Sequence, residues 1–245
     1  MNNSLIYESS SLISNTICNE IINLFENQLF GKININKMNK YNNLIQKNEF
    51  VIPSSIDINH TWYKINNILK IAIKDILKKY IHLLYNISLP FSYDNSLNDI
   101  IFYDKNPDYI NSLHEDLPLI QLEKKIKFDI HDLFKKFNWY NIHIGNFIIK
   151  KYHRNNHILL NNNDFYINYM DRKYRILSFI LFLNDIDIGG EITFLNNNKK
   201  IKPEIGKIVF FPSNWCFQYN IAKNISEDKY IITGWVYSDF LQLDV

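Results

Sequence analysis

Hydrophobic positions along this chain follow two different rhythms. In the first half they recur at helical spacing. Behind Ser14, a candidate N-cap, Ile17, Ile21, Leu24, Phe25 and Phe30 fall on one side of a predicted helix. A longer stripe of Trp62, Ile65, Ile68, Leu69, Ala72, Ile73, Ile76, Leu77 and Tyr80 predicts a second helix over about 61–84. Such a stripe must be covered, most simply by the face of a sheet. Residues 86–118 place Pro90, Pro107 and Pro118 among Asn, Asp and Ser and read as connecting loops.

From Tyr140 onward the period shortens. "IHIGNFIIKKY" partly alternates, "RILSFILFL" (175–183) is a continuous apolar run, "GKIVFF" (206–211) is short, and "KYIITGWVY" (229–237) is rich in β-branched and aromatic residues. Separated by Asn, Asp, Gly and Pro, these four segments predict an all-β half, either sandwich or barrel. No internal repeat or flexible linker interrupts the chain, so the expectation is one structural unit. It divides into an N-terminal helical support region, 1–139, and a β core, 140–245.

Composition narrows the function classes. With 245 residues, 47% hydrophobic and 15% aromatic, the chain has the material for a substantial core. A net charge of +2 is too even for a nucleic-acid footprint, and Lys135-Lys136 and Lys199-Lys200 read as solvated faces. Two cysteines, Cys18 and Cys216, allow neither a disulfide framework nor a Cys-rich zinc site. The start "MNNSLIYESSSLIS" lacks secretory-signal character, and no apolar run reaches the 18 residues of a membrane span. The expectation is a cytoplasmic protein without nucleic-acid or membrane partners.

Four segments carry more than statistics: "RILSFILFLND", "GGEITF", "IKPEIGKIVFFP" and "DKYIITGW" follow one another with short spacers. In this order they resemble the 2-oxoglutarate and iron(II) dependent oxygenases of the prolyl 4-hydroxylase-like branch, over roughly 140–240. "SNTICNEIINLFE" resembles the helix that often precedes that fold. The resemblance implies a mainly β, α+β protein, a double-stranded β-helix or jelly roll with helices packed on one sheet. It also implies iron(II) on two histidines and one carboxylate, a His-x-Asp pair and a later His, with 2-oxoglutarate anchored by a basic residue about ten positions further on.

The residues match that pattern only in part. Lys229 stands at the anchor position, and with Tyr152 it is where the resemblance implies cosubstrate binding, if that is retained. Ten positions before Lys229 the late histidine is replaced by Tyr219. The early pair falls in "LLNNND", where one register gives Asn162 and Asp164 and the other Asn161 and Asn163. The seven histidines, His60, His82, His114, His131, His143, His153 and His157, all precede the strands that would carry the late ligand. His114-Glu115-Asp116 is a literal His-x-Asp, but in the Pro-rich connection it reads as a solvated loop. His153 and His157 read as surface-loop residues, the alternative being ligands borrowed by the site.

Tyr219 reads as a buried aromatic filling the vacated metal position, hydrogen-bonded through its hydroxyl. For Lys229 two readings stand: an ammonium paired with a carboxylate in the roll, or a strand-start lysine in solvent. Trp215, Phe217 and Trp235 are taken as core aromatics, Gly189, Gly190 and Gly206 as turns, and Arg175 and Asp185 as terminal charges bracketing a buried strand. The expected function is a non-catalytic binding or regulatory module, without cofactor, for an unknown protein or a small acidic ligand. One alternative is an active 2-oxoglutarate-dependent dioxygenase using iron(II) on atypical ligands to hydroxylate a peptide or small molecule. Another is an assembly role in which the Trp62–Tyr80 stripe or the Asn-rich loops face a partner protein.

Overall fold

A computed structural model describes residues 5–31, 45–46, 48–53, 61–88, 140–155 and 159–239. Both predicted helices form, as α1 (Asn15–Gly31) and α2 (Thr61–Ser88). Ser14 caps α1, its Oγ accepting the Ile17 amide at 3.3 Å while its carbonyl accepts the Cys18 amide. Helix α2 runs past residue 86, where loops were expected; positions 89–118, including His114-Glu115-Asp116, lie outside the described residues, as does His157.

The strands are β1 (Tyr7–Ser9), β2 (Ile45–Gln46), β3 (Glu49–Val51), β4 (Tyr140–Ile144), β5 (Ile148–Tyr152), β6 (Leu159–Asn162) and β7 (Ile167–Asn168). They continue with β8 (Lys173–Phe182), β9 (Ile192–Phe194), β10 (Lys200–Ile201), β11 (Ile208–Pro212), β12 (Tyr219–Ile221) and β13 (Lys229–Asp239). The larger sheet runs β1-β11-β8-β13-β5-β3-β2, with β4 on β13 and β7 on β8, and the smaller runs β10-β9-β12-β6. The pairings are antiparallel. The N-terminal region is therefore more than a helical support: it also supplies β1, β2 and β3, segments too short to leave a period in the sequence.

The central strands are apolar on both faces because both are covered. On one face of the larger sheet Leu177, Phe179, Leu181, Leu183, Ile208, Phe210, Ile232 and Val236 pack against α1 and α2. The alternate residues, Ile180, Phe182, Val209, Phe211 and Ile231, form a second core with Phe194, Tyr219 and Ile221 of the smaller sheet. Period-two alternation thus feeds two cores, and "RILSFILFL" is continuous for that reason. The stripe from Trp62 to Tyr80 is buried in the first core, apart from the more exposed Ile68 and a part-buried Ala72. This corrects the assembly reading of that stripe, since the chain's own sheet covers it. No described helix is long and apolar enough to cross a membrane.

Candidate functional site

The interior of the roll is set by strand parity. Tyr219 lies directly across from Asn162 in the β12–β6 pairing, and also pairs with Phe194 of β9. Its ring, 4% exposed, meets Phe211 edge-on at 5.3 Å and Phe194 at 5.8 Å. The hydroxyl accepts a hydrogen bond from Asn162 Nδ2 at 2.5 Å and donates to Asp164 Oδ2 at 3.4 Å. Burial raises the phenol well above its ordinary value, and the Asp164 charge adds to this, so Tyr219 stays protonated.

Asn162 and Asp164, two residues apart, both reach Tyr219, whereas Asn161 and Asn163 are exposed. Asn161 takes a positive φ of 53° and its amide donates to Asn220 Oδ1. Asn163 closes a local turn by accepting the Phe165 amide.

Lys229 turns inward. Its side chain is 1% exposed, and Nζ donates to the Gly190 carbonyl at 3.0 Å while lying 5.0 Å from the ring centroid of Tyr152, its cross-strand neighbour. Burial lowers the ammonium to about 7, opposed only by the Glu191 charge. Gly189 and Gly190 shape the receiving turn with φ of 83° and 75°; a Cβ on Gly189 would lie 2.1 Å from the Lys223 carbonyl oxygen. The Tyr152 hydroxyl is pushed up by burial first and by the Glu49 and Asp164 charges after it. Thr233, further along the same face of β13, has an Oγ1 without a hydrogen-bond partner among the described residues.

The backbone around Lys229 is held from outside the roll. Asp228 accepts the Arg154 amide and lies 3.2 Å from Lys151 Nζ, and Lys151 also pairs with Glu26 of α1 at 2.8 Å. Tyr230 donates to the same Glu26, and its amide donates to Asn184. His153 belongs to this outer network: Nε2 lies 3.3 Å from Asn48 Oδ1 and Nδ1 3.5 Å from Asp228.

At the positions where iron(II) ligands are implied, the donors are therefore an amide, one carboxylate and a protonated phenol already bonded to one another. That set does not fit an ion that asks for two imidazoles and a carboxylate. Among the described residues, no group of three or more His, Cys, Asp and Glu converges on a common point.

Two sequence readings need correction. Trp215 is 71% exposed instead of buried, because Asn214 organises a tight turn by accepting the Cys216 amide on its side chain and the Phe217 amide on its carbonyl. Phe217 packs at the edge of the inner core, and Trp235 is half-buried. Arg175 is not an ordinary terminal charge: its guanidinium stacks 3.7 Å from the Trp235 ring centroid and 4.6 Å from that of Tyr166. A bulge explains this, since Val236 pairs with Leu177 but Tyr237 with Arg175, skipping Ile176 and re-aiming Arg175 toward the roll. The only sequence signal was an arginine opening a strand whose future neighbour carries "GWVY".

Comparison with known proteins agrees with this architecture. Residues 140–237 match the family model of the 2OG-Fe(II) oxygenase superfamily. No curated protein matches the chain in sequence. Among solved structures, the viral collagen prolyl hydroxylase of Paramecium Bursaria Chlorella virus-1, in its 2OG complex, superposes with a TM-score of 0.55 at 11% identity, over 96% of each chain. A prolyl hydroxylase of Trichoplax adhaerens, in complex with a hypoxia inducible factor peptide fragment, gives 0.52 at 13% identity, over 97% of this chain and 85% of that one. The fold is thus a 2-oxoglutarate oxygenase fold, a jelly roll with helices on one sheet, similar to that of prolyl hydroxylases.

Proposed function

We propose that this protein has lost hydroxylase chemistry and works as a binding or regulatory module, holding a small acid or an acidic group of a partner protein at Lys229. The observation that carries this reading is the Asn162–Tyr219–Asp164 set: the three side chains that stand where the resemblance implies metal ligands are hydrogen-bonded to one another. A buried tyrosine raised well above its ordinary value is a poor anionic ligand, and an amide is a weak neutral one.

Lys229 and Thr233 support the binding half of the reading. A buried amine whose hydrogen bond among the described residues goes to a single backbone carbonyl has capacity for a carboxylate, and Thr233 Oγ1 has an unused donor. Asp164 keeps one carboxylate at the site, and this favours the competing reading, a dioxygenase that borrows His157 and uses 2-oxoglutarate. His153 does not serve that alternative in its present place, being bonded to Asn48 and Asp228.

Calorimetric titration with 2-oxoglutarate in the presence of EDTA tests the proposal. Metal-independent binding that is lost in Lys229→Met supports it. Conversion of 2-oxoglutarate to succinate and carbon dioxide on adding iron(II) and oxygen overturns it.

A further inference from the structure

We propose that the outward side of α2 docks on an anionic membrane surface, as a peripheral contact that leaves the helix on its sheet. The chain's formal net charge of +2 gives no hint of this. Helix α2, however, carries five lysines, one aspartate and neither arginine nor glutamate. Its apolar side is taken by the sheet, through Trp62, Ile65, Leu69, Ile73, Ile76 and Tyr80. The other side holds the exposed Lys64, Lys74 and Lys79 and the half-buried Lys70 and Lys78. The aspartate, Asp75, pairs with Lys79 at 2.9 Å. Lys64, Ile71 and Lys78 follow one another at intervals of two helical turns, and so form a straight crest about 21 Å long. At its centre Ile71 is 71% exposed, with Ile68 at 38% one turn away.

Charge and side-chain type together select the occupant. A row of like charges calls for an anionic partner. An acidic protein fits less well, because lysine is depleted from protein interfaces while arginine, absent from α2, is enriched in them. Nucleic acid would supply phosphates for the lysines but leave two exposed isoleucines without a use. A bilayer with anionic lipid supplies both needs: headgroups for ammonium groups on long stems, and an acyl boundary into which an aliphatic side chain on the crest can dip. The crest and Lys229 lie on opposite sides of the larger sheet, so docking does not cover the interior of the roll.

Co-sedimentation of the full chain with vesicles tests the proposal, comparing pure phosphatidylcholine with equal parts phosphatidylcholine and phosphatidylserine. Binding to the mixed vesicles alone, lost in about 1 M sodium chloride where charges are screened beyond about 3 Å, is the expected result. Lys64→Gln combined with Lys74→Gln should weaken it by about 20- to 30-fold, at about fivefold per lysine. Ile71→Asn should weaken it by about three- to tenfold. Lys200→Gln combined with Lys202→Gln removes the same charge from exposed positions outside α2 and should leave binding nearly unchanged. All of these are surface changes, so urea unfolding should stay that of the parent. Absence of phosphatidylserine-dependent binding, an equal loss in the Lys200 and Lys202 pair, or full binding by Ile71→Asn overturns the proposal. The last result would assign the lysines to a soluble acidic protein or a nucleic acid, held by charge alone.

Discussion

The two faces of the larger sheet obey the same period-two rule and serve different ends. The face under α1 and α2 is lined by Leu177, Phe179, Leu181, Phe210 and Ile232, apolar throughout these positions. The opposite face interleaves Ile180, Phe182 and Phe211 with polar side chains: Lys229, Thr233, and a Ser178–Ser213 hydroxyl pair at 2.6 Å. Burying polar groups costs stability unless they are satisfied, so a polar inner face beside an apolar outer one marks where selection served something other than packing. The same strands thus separate an apolar scaffold from a polar-lined interior by parity alone.

The largest way to probe this contrast is on the scaffold face. Phe179→Ala removes a buried ring that lies 5.4 Å from Phe210 and 5.9 Å from Phe147, and should cost about 3–5 kcal/mol in urea unfolding. On the inner face the sign reverses. Lys229 titrates near 7 when folded against a usual 10.5, so the unfolded chain holds a proton that the folded one releases between those values. Stability should therefore rise with pH across that window, and the cost of burying Lys229 is fully present below pH 7. Lys229→Met should raise stability at pH 7 by something on the order of 3 kcal/mol, with the gain fading above pH 10. The same titration predicts that acid binding weakens as pH climbs above 7, because the neutral amine offers no charge to a carboxylate.

Smaller effects sharpen the comparison. Tyr219→Phe keeps the ring but leaves the Asn162 amide and Asp164 without the hydroxyl, and should cost about 1–3 kcal/mol. Ser14→Ala removes the cap of α1, far from the interior, and should cost about 1 kcal/mol while leaving acid binding unchanged. A Lys229→Met variant less stable than the parent at pH 7 would break the assignment of its face.

The scaffold was legible in the sequence because long apolar periods bury large areas and leave strong patterns, as in α2 and the run feeding β8. Short strands such as β1, β3 and β7 were not, since two or three residues carry no period and their pairing is decided by the sheet they join. The candidate site was legible in residue identity but not in orientation. Nothing in "LLNNND" chose between Asn161 and Asn162, and which of them stands across from Tyr219 is a matter of strand pairing, where it is Asn162. Trp215 and Arg175 escaped for local reasons, an Asn214 turn and a one-residue bulge, each of which reverses the direction that simple alternation assigns.

The central claim is that amide, carboxylate and protonated phenol donors leave the roll unable to hold a catalytic iron(II) ion. Anaerobic equilibrium dialysis of the intact protein against iron(II) with 2-oxoglutarate, followed by metal quantification and absorption spectroscopy, tests it most directly. Iron far below one equivalent and no metal-to-2-oxoglutarate charge-transfer band is the predicted result. Near-stoichiometric iron with that band would contradict the account.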